Sequence, residues 1–241
     1  MKKFAFITSL VLSVCTLCSF SACGDASEVI EKVQKNKVEN SIEKMEDISK
    51  TFEKGSVSGN TYSSSFSNIK FESPDGWTFA TDEELSQSMN EGVDVVGDDI
   101  GFKDAELNKK LIEKTTIYDM MASNEYTGEN IIVLYENIKA YGLDPDEFSE
   151  TDYINQVKKN LTTMNNDTLS YTQKGGIETV NMAGMDFTKT TFTAEIKGYD
   201  VSIEQIYYVH KTGDYMTGII LSSGISGNDM SIYEKCFTAN E

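Results

Sequence analysis

The chain has 241 residues, 39 of them acidic and 21 basic, for a formal charge of −18 at pH 7. That balance excludes nucleic acid as an expected partner, because phosphate backbones are held by basic patches that release counterions. All 21 basic residues are lysine, so the rigid guanidinium fork that grips carboxylate or phosphate is missing, which argues against an anionic substrate.

The chain opens with Lys2 and Lys3, an apolar run from Phe4 to Phe20, then Ser21, Ala22 and Cys23, followed by polar Gly24-Asp25-Ala26-Ser27. A charged start, an apolar run and small residues before a polar stretch predict an export leader. The run approaches the roughly 20 residues needed to span a membrane, but the residues around Cys23 favour cleavage. Phe20-Ser21-Ala22-Cys23 resembles the lipobox of bacterial lipoproteins, with Phe20 where leucine is usual. The resemblance implies removal of residues 1–22, lipidation of the Cys23 thiol, and residence on the outer face of the cytoplasmic membrane or the cell surface. An ordinary secretory signal with an incidental cysteine is the alternative. A diacyl pair, at about 0.8 kcal/mol per buried methylene, anchors a protein durably. An acidic surface repels anionic headgroups, so attachment falls to the acyl chains.

The leader takes Lys2 and Lys3 with it and no acid, so the basic count drops from 21 to 19 against 39 acids over the 219 residues left. That length suits one sizeable domain. Cys15 and Cys18 leave too and Cys23 carries lipid, so Cys236 remains as the lone thiol and stability must come from a core instead of a disulfide. Ile232, Tyr233, Cys236 and Phe237 share one face of an expected closing helix, which makes Cys236 a packing residue.

Glu28 to Phe52 is charged, free of Gly and Pro, and carries Val38, Met45 and Phe52 seven apart. This predicts a spacer helix on the order of 35 Å long. Lys35-Asn36-Lys37 interrupt its stripe, which disfavours a sustained coiled coil. Gly55-Ser56-Val57-Ser58-Gly59-Asn60 then has the composition of a flexible hinge. The expected map is a leader over 1–22, spacer and linker over 23–61, and a folded domain over 62–241.

Within that domain, Ser67 to Glu72 and Trp77 to Ala80 flank a Pro74-Asp75-Gly76 turn as strands. Thr81 and Glu84 form a capping box for a helix to about Asn90. An acidic loop over 92–101 and a helix near Asp104 to Lys114 follow. Thr116 to Ala122 and Asn130 to Ile138 are strands, and Ile131-Ile132-Val133-Leu134 in the second is apolar on both faces, as in a strand covered above and below. Glu147 to Met164 is helical, with Ile154, Val157, Leu161 and Met164 inward. Short strands at Thr168 to Gln173 and Glu178 to Met182 precede three antiparallel ones, Met185 to Ile196, Val201 to His210 and Tyr215 to Ser222, turning at Lys197-Gly198 and Thr212-Gly213-Asp214. The expected architecture is an α/β/α sandwich, an antiparallel sheet with helices on both faces.

This order, together with Phe71, the Pro74-x-Gly76-Trp77 turn and Tyr118-Asp119-Met120-Met121, resembles the PsbP-like fold and, more narrowly, small lipoproteins of Gram-positive gut bacteria that carry such a domain. The resemblance implies accessory and binding roles and supplies no catalytic motif. His210 is the sole histidine, so histidine-cluster metal sites are out and a serine triad would hang on one strand-end residue. Neither Gly-x-Ser-x-Gly nor a Gly-x-Gly-x-x-Gly loop occurs. Asp94, Asp98, Asp99 and Asp104, or Asp144, Asp146 and Glu147, could offer calcium hard oxygens. Neither group has EF-hand spacing, and solvated loops account for both. A carboxylate pair drawn from distant strands stays open. Trp77, Tyr199, Tyr208 and Tyr215 are the candidate contact surface. The expectation is a non-enzymatic accessory module with a lipid anchor, an unidentified protein partner, and no metal or cofactor. A small-ligand or calcium-binding surface lipoprotein is the alternative.

Overall fold

The computed structural model describes residues 52–88, 115–139 and 143–240. The leader, Cys23, most of the spacer helix, the loop over 92–101 with its aspartates, and the expected helix from Asp104 lie outside the described residues. Strands β1 Ser56–Ser58, β2 Thr61–Ser64, β3 Ile69–Glu72 and β4 Thr78–Phe79 precede helix α1 over 82–88. Then come β5 Thr116–Ser123, β6 Asn130–Asn137, helix α2 Glu150–Thr163, β7 Leu169–Met182, β8 Met185–Ile196, β9 Val201–Thr212 and β10 Tyr215–Ser222. A 3-10 turn over Met230–Cys236 leads into β11 Phe237–Ala239.

The strands form two antiparallel sheets, a large one ordered β4-β5-β6-β10-β9-β8-β7 and a small one ordered β1-β2-β3-β11. This overturns the α/β/α sandwich with helices on both faces. The molecule is mostly antiparallel β and sandwich-like, with α2 on one face of the large sheet and the small sheet on the other. Burial of β6 on both faces explains the expectation. Ile132 and Leu134 pack toward Ile154, Val157 and Leu161 of α2, while Ile131, Val133 and Tyr135 pack toward Tyr62, Ile69, Phe71 and Phe237. A strand covered twice does not say by what, and here the second cover is a sheet.

That sheet is built from residues with weak strand signals. Ser56, Val57 and Ser58 pair with Ser63, Tyr62 and Thr61, so the glycine- and serine-rich stretch expected to be a hinge is a hairpin. The registers Tyr62↔Phe71 and Phe71↔Phe237 align three rings inward. Phe52 packs against Phe66, Tyr135 and Tyr215 at centroid distances of 5.0, 5.0 and 5.9 Å. The folded domain therefore begins by Phe52, ten residues before the expected boundary. The closing helix is the 3-10 turn, from which Phe237 passes into β11. In β7 the two short strands expected are one, interrupted by an irregularity between Lys174 and Glu178.

Helix α2 starts where the sequence provides a reciprocal cap, Asp152 N–H donating to Ser149 Oγ at 3.2 Å and Ser149 N–H to Asp152 Oδ2 at 3.0 Å. Under it lies Glu136 of β6, fully buried. Thr116 Oγ1 donates to its Oε1 at 3.4 Å, and Oε2 has no partner among the described residues. Burial pushes this carboxyl from 4.5 up to about 8, against the opposing pull of Tyr153 and Thr116.

A folded-state value above the unfolded one means that the native protein holds a proton which unfolding releases between 4.5 and about 8. Stability then falls as pH rises through that window, by up to about 1.4 kcal/mol per pH unit. We expect Glu136→Gln, which keeps the neutral shape, to flatten this slope in urea titrations at pH 5, 6.5 and 8. A variant whose slope matches the wild type would refute the assignment.

Candidate functional site

Strand β5 is apolar along its inner positions except at Asp119, and the ladder breaks there. Tyr118 pairs with Leu134 and Met120 with Val133, leaving Asp119 as the extra residue of a bulge. A bulge re-aims a side chain, and this one turns a carboxylate into the space between the sheets, where it is 4% exposed.

Two elements of the small sheet meet it. Gly55 N–H donates to Oδ1 at 3.0 Å and Oδ2 at 2.9 Å. The Tyr62 hydroxyl donates to Oδ2 at 2.5 Å. Behind Tyr62, Tyr135 donates to Ser64 Oγ at 3.0 Å, which makes Ser67 the donor in its 2.7 Å bond with the Tyr135 hydroxyl. With both phenolic protons committed, the 3.3 Å contact between Tyr62 and Tyr135 is the weakest link. Burial raises the Asp119 carboxyl above its ordinary range, opposed by Tyr62, Gly55 and Lys54. Burial raises Tyr62 far more, with Tyr135 and Asp119 adding to it, so the phenol stays a donor.

Asp119 lines a cavity of about 310 Å³ between Lys54 to Val57 on one side and Ala80, Asp82, Leu85 and Met120 on the other. The second wall is fixed by local sequence. Ala80 N–H bonds the Met121 carbonyl at 2.9 Å. Glu84 N–H donates to Thr81 Oγ1 at 3.3 Å and Thr81 N–H to Glu84 Oε2 at 2.7 Å, the capping box that sets Asp82 and Leu85 at the start of α1. Lys54 and Asp82 form an ion pair across the rim. The cavity thus offers a buried acceptor at its base and an ion pair at its mouth, within walls that mix polar backbone and side chains with Val57, Ala80, Leu85 and Met120.

The four aromatic candidates do not come together. Trp77 is buried against Tyr233, edge-on at 4.9 Å. Tyr208 is buried with its hydroxyl donating to Glu234 at 2.5 Å. Tyr215 is buried beside Phe66 at 5.2 Å. Tyr199 alone is exposed, at 71% on the β8–β9 turn. His210 donates Nδ1–H to the Asp186 carbonyl at 2.9 Å and lies against Phe187, a strand-end fastener. Cys236 is half-buried, its thiol raised by that burial. Asp144 Oδ1 accepts from Asp146 N–H at 2.9 Å, closing a local turn. Among the described residues no group of three or more His, Cys, Asp or Glu side chains could hold a metal ion.

No protein-family model matches the chain, and comparison with curated proteins finds no match.

A Cβ at Gly55 would stand 2.5 Å from Tyr62 Cε2, 2.7 Å from Asp119 Oδ2 and 2.9 Å from the Ser63 carbonyl. We expect Gly55→Ala to lower the denaturation free energy by about 1–3 kcal/mol, as overpacking does. Gly176→Ala, with open space around it, serves as the control and should change little.

Proposed function

We propose that this chain is a non-enzymatic binding lipoprotein, anchored through Cys23 outside the cytoplasmic membrane, and that the Asp119 cavity is its ligand site. The observation that carries this reading is a buried carboxylate, raised by that burial, that lines a cavity of mixed polar and apolar walls beside the Lys54–Asp82 ion pair. Convergence of polar groups around an acid shifted by burial, in a concave site, is a general mark of a small-molecule site. It favours ligand binding over the protein-docking role that a cluster of exposed aromatics would have supported.

The accessory reading keeps one observation of its own. Tyr126, Tyr199 and Ile225 are exposed on connections that the strand registers bring to the same end of the large sheet, beyond Asn130, Val201 and Ser222. A protein partner would meet the domain there.

The anchor is tested separately. We expect Cys23→Ser to abolish incorporation of labelled fatty acid and to move the protein from the membrane to the soluble fraction, with an unchanged circular dichroism spectrum. Persistent acylation of the variant would sink the reading.

A further inference from the structure

We infer that the Asp119 cavity takes a small organic cation, a primary ammonium on a short apolar body. This rests on the reading of the cavity as the ligand site and deepens it to a chemical class.

The argument starts from charge. The ionisable side chains lining the cavity are Lys54, Asp82 and Asp119. Lys54 is spent on Asp82 at the rim. Asp119 is held by neutral donors, Gly55 N–H and the Tyr62 hydroxyl, and has no ion-pair partner among the described residues. A buried carboxylate without a counterion is costly to keep ionised, which is why burial raises this group. A cation that enters supplies the missing partner. An anion meets two carboxylates and a chain of formal charge −18.

Hydrogen-bond capacity points the same way. Each carboxylate oxygen accepts about two bonds. Oδ2 already takes Tyr62 and a share of Gly55 N–H, while Oδ1 has only the other share. Oδ1 therefore has room for a charged donor, and charge-assisted bonds of this kind are roughly twice as strong as neutral ones. Beside the polar Gly55 and Ser56, the walls include Val57, Ala80, Leu85 and Met120, an apolar portion that suits no more than a short alkyl body. At about 310 Å³ the space lies at the small end of ligand sites, which excludes bulky cations.

The test titrates the intact chain in detergent micelles with three probes of one shape, n-butylammonium, 1-butanol and butyrate, followed by calorimetry and by the amide resonances of Gly55 and Asp119. We expect butylammonium to bind about tenfold more tightly than butanol, and butyrate not to bind. Asp119→Asn should reduce butylammonium to the level of butanol. Should that variant fail to fold, Asp82→Asn is the second arm. Asp82 is largely exposed, and its loss frees Lys54 to turn onto Asp119 as an internal competitor, so butylammonium binding should weaken. Butanol binding at the cavity as well as butylammonium overturns the cation class and leaves the ligand site standing. No shift at Gly55 or Asp119 with any probe overturns the ligand site itself. Butylammonium binding that both variants leave unchanged places the cation elsewhere and overturns the inference.

Discussion

Buried carboxylates in this protein are held by tyrosine. With no arginine in the chain, the usual charged partner for an interior acid is missing, and a phenolic hydroxyl takes its place repeatedly. Tyr62 donates to Asp119 at 2.5 Å, Tyr233 to Glu129 at 3.2 Å and Tyr208 to Glu234 at 2.5 Å, and Tyr153 acts on Glu136. Each pair joins two layers. Tyr62 ties the small sheet to the bulge of β5, Tyr233 ties the 3-10 turn to the start of β6, and Tyr208 ties β9 to the 3-10 turn.

A phenol satisfies a lone pair without cancelling a charge, and that difference shapes the interior. Burial raises Asp119 and Glu136, and neither the phenols nor, at Asp119, the nearby Lys54 outweighs it. Glu129 is treated differently, accepting from Ser226 and Asn228 as well as Tyr233, so several neutral donors share the work and the loop after β10 is pinned. Glu234 is the exception that has a cation, Lys189 at 3.0 Å, and it lies nearer the surface, where that ion pair is partly screened.

Much of the large sheet was legible in the sequence because its strands carry strong signals. The apolar run Ile131 to Leu134 marks a strand buried on both faces, the Gly198 and Gly213 turns set the meander, and the Ile154, Val157, Leu161 stripe marks α2, whose expected start at Glu147 lies three residues ahead of the observed Glu150. The small sheet was not legible. Ser56 to Ser64 looks like linker by composition, and only Tyr62 and Ser64 are buried in β2, too few to register as a period. Phe237 reads as helical by spacing until its pairing with Phe71 draws it into a strand. The site had one visible signal, a lone acid at Asp119 between Tyr118 and Met120 in an otherwise apolar strand. Its partners sit more than 50 residues earlier, Gly55 in the expected linker and Tyr62 at the first residue of the expected domain, and long-range pairing of that kind leaves no local mark.

Gly55 gives this arrangement a mechanical side. Residues 52–58 lead into the fold from the N-terminal side, and Lys54 to Val57 among them form one wall of the cavity. Under the proposed anchor at Cys23, a pull along the chain would meet the packed ring of Phe52 and the bonds from Gly55 to Asp119 before the strands of the large sheet. The attachment point of the proposed anchor and the wall of the proposed site are thus one stretch of chain, and a group bound at Asp119 would bear directly on it.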